Sequence, residues 1–298
     1  MGAIKSSGYM GRALIKWCLG TGAMISCKNT ARYLHARERI EGLRVGKVPM
    51  KRFLLLGLIA LLPLTTVMAQ NPTDILAKAE KTAIGTSSYS ELSMTAKRAR
   101  YTRVLDIKSW THTNKYALIV VTGPERDRGT RYLRADKQMY SFVPRTGKVV
   151  KLPQSMLMAG GFMGTDASMD NLLGQASLAK DFTHQYLGTE TVNGLPCHKI
   201  KCTPKPGIPV AADAVIAWVH TGDKGWVRLS FQSTRNGELQ RMDALEFGRM
   251  DGVQMPVKLQ FSTQGGKQTT LMTVKAWKKQ PQLNPAWFTP ERLEQTQP

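Results

Sequence analysis

Apolar residues recur at every second position along most of the chain after Gly85, which is the spacing of a half-buried β-strand. Residues 227–232 read VRLSFQ and residues 257–262 read VKLQFS, so one face of each segment is apolar and the other is polar. Such alternation is typical of an antiparallel sheet that is covered on one side. The chain is therefore predicted to be mainly β.

Turn signals such as Asn193-Gly194 and Asp251-Gly252 separate successive strand segments, as expected for hairpins. The predicted strands form two blocks, at residues 89–98, 101–112, 116–122, 130–135, 138–144 and 148–152, and at residues 182–192, 195–203, 214–221, 225–233, 239–248, 256–263 and 268–278. About a dozen consecutive strands predict one curled antiparallel sheet or incomplete barrel in a single domain.

One amphipathic helix is predicted before the strands, at about residues 72–84. Asn71 is a favourable N-cap and Pro72 suits the first helical position. Apolar residues then follow at helical spacing, at positions 75, 76, 79 and 83.

Residues 153–180 separate the two strand blocks and are rich in methionine. Asp166 or Ser168 is the predicted cap of a short helix over residues 169–173. An insertion of this length needs an apolar surface to cover, and a concave sheet face is the expected partner. Since methionine adapts to irregular apolar partners, the segment is predicted to be either a lid over a ligand cavity or a plug of the barrel mouth.

Residues 50–69 read MKRFLLLGLIALLPLTTVMA, with two cations, a short apolar run, and Val67 and Ala69 at a small-residue cleavage site. This order predicts a cleaved secretory signal peptide. Translation is expected to begin at Met50, which makes residues 1–49 a non-native upstream extension; the alternative is a genuine basic presequence. Gln70 follows the cleavage site where a lipoprotein requires cysteine, so residues 70–298 are expected to be a soluble, non-lipidated periplasmic domain.

The net charge of +21 first indicates an anionic partner such as nucleic acid. Residues 1–69 contain eleven of the 42 lysines and arginines and two of the 21 acids, so residues 70–298 carry 31 cations and 19 acids, a formal +12. Export excludes nucleic acid as the expected partner. The basic run at residues 97–103 is predicted to be a solvated outer face, or to contact anionic headgroups or an acidic partner.

The sequence lacks the nucleophile elbow, zinc-protease, P-loop and dinucleotide motifs. Cys197 and Cys202 are five residues apart on one predicted strand, so they are expected to face opposite sides at about 16 Å separation. That geometry predicts neither a disulfide nor a metal site between them. Asp166 and Asp170 are expected to cap or solvate the lid helix, and no cofactor, metal or enzymatic activity is predicted.

Several short motifs follow one another between residues 72 and 294. They are Gly129-Thr130-Arg131-Tyr132-Leu133, residues 140–144 (YSFVP) with Gly147-Lys148, residues 163–166 (MGTD), Asp170-Asn171-Leu172, residues 194–197 (GLPC), and residues 287–290 (WFTP) with Leu293. In this order they resemble the LolA-like outer-membrane lipoprotein-sorting family. Thr165 replaces a favoured serine, and Ala167 and Met169 stand near favoured aromatic positions.

The resemblance implies an incomplete antiparallel barrel whose hydrophobic cavity is covered by helices. It also implies a monomeric, chaperone-like periplasmic carrier of lipoprotein acyl chains or other lipids, with an inner-membrane transporter or an outer-membrane acceptor as partner. The predicted ligand-binding residues of the cavity and lid are Trp110, Tyr140, Phe142, Met156, Met158, Phe162, Met163, Met169, Leu172, Leu173, Val227, Leu229 and Phe231. The alternatives are a lipid-sensing regulator or accessory subunit of a membrane export system, and a secreted enzyme.

Overall fold

A computed structural model describes residues 71–84, 87–113, 115–153, 156, 161–174, 176–208, 210–280 and 282–294. The predicted upstream extension (residues 1–49) and signal peptide (residues 50–69) lie outside the described residues, and both remain predictions.

Helix α1 (Pro72–Ile84) begins where the sequence predicts it to begin. The backbone amide of Thr73 donates a hydrogen bond of 3.0 Å to Oδ1 of Asn71, which confirms Asn71 as the N-cap. Leu76 and Ala79 are buried on one side of this helix.

The described residues form one antiparallel sheet of thirteen strands. The strands are β1 (Ser87–Lys97), β2 (Thr102–His112), β3 (Tyr116–Gly123), β4 (Arg131–Ala135), β5 (Gln138–Val143), β6 (Lys148–Leu152), β7 (Phe182–Val192), β8 (Leu195–Pro204), β9 (Ala214–His220), β10 (Trp226–Ser233), β11 (Gly237–Met250), β12 (Val253–Thr263) and β13 (Gln268–Lys279). Each predicted strand is present, with its ends shifted by at most three residues.

Neighbouring strands are consecutive in sequence except for the pair β1 and β13, which joins the two strand blocks at the middle of the sheet. The outermost strands are β6 and β7, so the sheet is open. Tight turns set the hairpins: Asn193 and Gly194 have φ of 51° and 76°, and Asp251 and Gly252 have 46° and 77°. Two successive positive φ angles are the signature of a type I′ turn. The predicted incomplete antiparallel barrel with few helices is confirmed.

Two apolar clusters share one face of the sheet, here called the inner face. The helix cluster joins α1 to β7–β10 and includes Leu76, Ile200 and Leu229. The Met-rich cluster lies on β1–β5 and β11–β13, and its buried members include Met94, Met139, Met255, Met272, Leu105, Ile107, Ile119 and Phe261. Leu229 pairs with Met242, and Met242 pairs with Phe261, so a continuous row of side chains connects the clusters.

The opposite face, here called the outer face, is also apolar over β2–β6. Leu118, Val120 and Leu133 pack there against Leu283, Phe288 and Leu293 of the C-terminal segment (residues 282–294). Arg131 fixes this segment, because its Nη1 donates a buried hydrogen bond of 2.7 Å to the carbonyl oxygen of Leu293. Within the described residues, no helix has the length and hydropathy needed to cross a membrane.

Candidate functional site

The lid segment (residues 161–174) covers the inner face over the Met-rich cluster. Phe162 and Leu173 are 3% and 1% exposed, and the Phe162 ring meets the Tyr132 ring edge-on at 5.1 Å. The half-buried Met163, Met169 and Leu172 pack against the same cluster. These lid side chains occupy the apolar surface on which the sequence analysis predicts a cavity.

Asp166 fastens the lid segment to the sheet. Its side chain is 2% exposed, and its Oδ2 lies 3.0 Å from Nη1 of Arg98. Thr270 donates to Oδ2 at 2.7 Å, and Thr263 donates to Oδ1 at 2.8 Å. The side-chain amide of Gln240 donates to the Asp166 carbonyl oxygen at 2.5 Å. This aspartate thus joins the lid to β11, β12, β13 and the turn after β1, instead of capping the lid helix.

The turn before Asp166 is closed by short local bonds. The amide of Phe162 donates to the Ala167 carbonyl oxygen at 2.6 Å, and the Thr165 hydroxyl donates to the Phe162 carbonyl oxygen at 2.8 Å. Met163 and Gly164 both have positive φ, 47° and 83°, which lets the chain reverse within a few residues. The turn therefore presents Phe162 and Asp166 to the sheet together.

Ser168 caps the short lid helix α2 (Met169–Leu173) through a capping box. The Asn171 amide donates to Oγ of Ser168 at 3.1 Å, and the Ser168 amide donates to Oδ1 of Asn171 at 2.8 Å. Of the two caps that the sequence allows, Ser168 is the one used.

Ser168→Ala is expected to lower the free energy of unfolding by about 1 kcal/mol, because an orphaned helix amide loses its acceptor. Urea unfolding followed by tryptophan fluorescence measures this change. Ser168→Thr keeps a hydroxyl and should lose clearly less; equal losses for the two variants would contradict the capping role.

The thirteen predicted ligand-binding residues divide among several places. The structure groups Phe162, Met163, Met169, Leu172 and Leu173 with the Met-rich cluster, and places Leu229 and Phe231 in the helix cluster on the same face. Met156 is 52% exposed, and Met158 lies outside the described residues. Seven of the thirteen predicted residues therefore lie on the inner face or pack against it.

Four predicted residues lie on the outer face instead. Trp110, Tyr140 and Phe142 belong to the cluster under the C-terminal segment. Alternation explains their position, because Met139 of the same strand as Tyr140 faces the lid. Val227 leaves the face of Leu229 because β10 carries a bulge between Trp226 and Arg228 in its pairing with β9.

The Met-rich cluster contains side chains that the sequence analysis did not select. It holds eight of the nine methionines in the described residues: Met94, Met139, Met163, Met169, Met242, Met250, Met255 and Met272. Six of them lie on strands, at positions that face inward. A count of methionines by strand position could have indicated this surface before the structure was known.

Two open pockets lie away from the Met-rich cluster. One, of about 360 Å³, is found where α1 meets the end of β9, and is lined by Asp74, Lys78, His198 and His220 among others. The second, of about 510 Å³, is bordered by Arg98, Arg100, Tyr101 and the lid residues Gly161 and Gly164. The second pocket places part of the basic run beside the lid.

The basic run (residues 97–103) lies at the turn between β1 and β2, and two of its arginines are engaged internally. Arg98 binds Asp166 and the Gly164 carbonyl oxygen, while Arg103 forms a salt bridge of 3.0 Å with Asp127. Lys97, Arg100 and Tyr101 are exposed. The run therefore contributes both to lid attachment and to a solvated surface.

Two of the titratable residues that the sequence singles out, His112 and Cys202, lie in packed parts of the sheet. Ser87 and His112 share a hydrogen bond of 2.8 Å, but Ser87 is 6% exposed and His112 stacks on Phe288 at 6.3 Å. Cys197 and Cys202 are buried, free thiols: Cys197 packs with Trp218 and Val227 on the outer face, and Cys202 belongs to the helix cluster on the inner face. Their predicted opposite orientation is confirmed, and burial raises the pKa of Cys202 to about 12.

Comparisons with known proteins agree with this architecture. A DUF1329 family protein from Desulfovibrio piger is 20% identical, with a TM-score of 0.67 over 74% of this chain and 97% of its own. A protein from Vibrio parahaemolyticus described as an outer membrane lipoprotein-sorting protein domain is 14% identical, with a TM-score of 0.66 over 75% and 98%. A LolA superfamily protein from Nitrosomonas europaea is 16% identical, with a TM-score of 0.62 over 72% and 96%.

No curated protein matches the sequence. A family model described as an uncharacterized protein matches residues 113–295, which is more than half of the chain. The resemblance predicted from the short motifs is confirmed at the level of the fold. The chain belongs to the family that this model describes, and its fold is that of the LolA-like lipoprotein-sorting proteins.

Proposed function

We propose that this protein is a non-catalytic periplasmic carrier that binds the acyl chains of lipoproteins or other lipids between the lid segment and the inner face. The observation that carries the proposal is the Met-rich cluster, which contains eight methionines, two of them in the lid segment and six on the strands. Methionine side chains are unbranched and polarizable, so they repack around apolar ligands of different shapes. The LolA-like fold and the predicted signal peptide support the periplasmic location and the sorting role.

Binding requires the lid to move, because its side chains occupy the apolar surface. Full burial of an acyl chain contributes about 0.8 kcal/mol per methylene, or about 12 kcal/mol for a sixteen-carbon chain. Against this, re-exposing Phe162 and Leu173 costs about 1.5–3 kcal/mol each, and separating Asp166 from Arg98 adds a smaller cost because both charges regain water. The gain for a sixteen-carbon chain exceeds the cost of moving these side chains, and the affinity is expected to fall with each methylene that is removed from the ligand.

Release of the lipid to an acceptor depends on the same two free energies, acyl-chain burial and lid closure. A carrier that closes its lid over its own apolar surface after release needs no external energy at that step, only an acceptor of higher affinity. An inner-membrane transporter and an outer-membrane acceptor are the partners that suit this cycle. A lipid-sensing regulator would bind acyl chains without transferring them.

The test compares one substitution on the two faces of the sheet. Val257 and Val149 are both half-buried on strands; Val257 packs against the Met-rich cluster and Val149 against the outer-face cluster. Val257→Asn is expected to weaken the binding of a fluorescent sixteen-carbon acyl lipid by about 5- to 100-fold, since a buried amide costs about 1–3 kcal/mol.

Val149→Asn should leave acyl-lipid affinity within about twofold of the unsubstituted protein, as expected for a change remote from the site. Lipids retained by the natively purified protein are identified by mass spectrometry, and transfer between donor and acceptor vesicles separates a carrier from a sensor. Equal effects of the two asparagine variants, or no acyl lipid bound at all, would contradict the proposed site.

A further inference from the structure

A buried arginine interrupts the apolar inner face. Arg134 of β4 is 3% exposed, and its direct register partners on β3 and β5 are Ala117 and Met139. Both partners belong to the Met-rich cluster. Residues directly opposite each other in antiparallel strands point to the same side, so the guanidinium rises from the surface that the proposed function assigns to acyl chains.

The charges around Arg134 belong to two different parts of the fold. Burial lowers the pKa of Arg134 to about 10, and the negative charges of Asp170 and Asp136 act in the opposite direction. Asp136 is exposed at the turn between β4 and β5. Asp170 is half-buried in α2 of the lid. One of the two acids that stabilise this cation therefore moves away whenever the lid opens.

An uncharged ligand would leave this cation within an apolar site with less compensation than the closed lid provides. Buried charges are retained when they are paired, and removal of one partner is strongly unfavourable. The planar guanidinium matches a carboxylate or a phosphate through two parallel hydrogen bonds. When Asp170 moves away with the lid, an anionic group on the ligand can take its place as the partner of Arg134.

We propose that the natural ligand is an anionic amphiphile, in which a carboxylate or phosphate next to the acyl chain pairs with Arg134 when the lid is open. The inference rests on the proposed carrier function and adds the headgroup chemistry to it. A neutral acylated ligand would bind to the same apolar surface, but without this ion pair.

Three probes with the same chain length test the headgroup: decanoate, decyl phosphate and methyl decanoate. At pH 8, the unsubstituted full-length protein, freed of lipid, is expected to bind at least one of the two anions about tenfold to hundredfold more tightly than the ester, the range of a charge-assisted hydrogen bond. A preference for decanoate indicates a fatty acid, and a preference for decyl phosphate indicates a phospholipid headgroup. Both results support the proposal.

Arg131 supplies a matched control, because it is a buried arginine of the same strand on the outer face. Arg134→Gln should reduce the ratio of anion affinity to ester affinity to about threefold or less, because the charge-assisted hydrogen bond is lost. Arg131→Gln should keep the preference. If Arg134→Gln does not fold, Arg134→Lys, which keeps the charge without the bidentate geometry, should show a reduced preference.

The outcomes separate this inference from the carrier function. Equal affinity of the unsubstituted protein for the anions and the ester would overturn the anionic ligand while leaving the acyl-chain site intact. An anion preference that survives Arg134→Gln would overturn the assignment to Arg134. Failure of all three probes, together with failure of the longer acyl lipid, would contradict the carrier function itself.

Discussion

Asp166→Ala is expected to lower the free energy of unfolding by about 3–5 kcal/mol, because it removes one member of a buried ion pair. The substitution leaves Arg98 without its carboxylate and deprives the hydroxyls of Thr263 and Thr270 of their acceptor. Thr263 and Thr270 lie on β12 and β13, and Arg98 lies in the turn after β1; all three of these strands contribute to the Met-rich cluster. The loss should therefore appear as a lower midpoint of urea unfolding with an unchanged slope.

Asp223→Ala is the control for this experiment, since Asp223 is exposed at the turn between β9 and β10. Surface substitutions of this kind change stability by about 0.5 kcal/mol or less. Asp166→Asn keeps the size of the side chain and part of its hydrogen bonding, so it should fall between the two. A loss for Asp166→Ala no larger than that for Asp223→Ala would show that the lid is not fastened at this residue.

Gly161→Ala is expected to open the lid segment. A Cβ added to Gly161 would lie 1.5 Å from the carbonyl oxygen of Thr165, a distance that the backbone must relieve by moving. The turn would then lose the bonds from Phe162 to Ala167 and from Thr165 to Phe162. Overpacking of this kind costs about 1–3 kcal/mol or more. Exposure of the apolar surface should raise the fluorescence of a hydrophobic dye such as ANS several-fold, on the order of that seen when packing is lost.

Gly123→Ala is the matched control, because a Cβ at that position meets no atom closer than 3.4 Å. Its dye fluorescence and its unfolding midpoint should remain close to those of the unsubstituted protein. If Gly161→Ala and Gly123→Ala gave the same dye fluorescence, the turn at residues 161–166 would not control access to the inner face.

The strands and their hairpins could be predicted from local sequence because each depends on short-range physics, whereas the pairing of β1 with β13 is a long-range contact. Alternation of apolar and polar residues defines a strand, and Asn193-Gly194 adopts the two positive φ angles that a type I′ turn requires. Asn71 likewise identifies the start of α1 by its capping bond. Such features need no knowledge of distant partners.

The faces of the sheet were harder to assign, because β3 is apolar on both sides. Ala117, Ile119 and Val121 face the lid, while Leu118 and Val120 face the C-terminal segment. A strand buried on both faces carries no signal that tells inside from outside. The sequence pattern therefore predicts Trp110 and Tyr140 at the ligand surface, whereas they lie beneath residues 282–294.

Long-range polar contacts could not be predicted from one sequence either. The position of Asp166 shortly before the lid helix predicts a helix cap, but its side chain binds Thr270, which is 104 residues away in the sequence. Arg134 falls within an alternating strand where an arginine normally faces solvent, and its burial depends on how the lid packs. A bulge at Val227 shifts one predicted face by a residue, which spacing alone does not reveal.

The central claim, that acyl chains bind among the methionines of the inner face, is tested most directly by NMR of protein labelled with ¹³C at the methionine methyl groups. A fatty acid that carries a nitroxide along its chain is added to the labelled protein. The account predicts that resonances of the eight methionines in the Met-rich cluster broaden while that of exposed Met156 persists. Broadening of Met156 alone, with the eight cluster resonances unchanged at saturation, would contradict it.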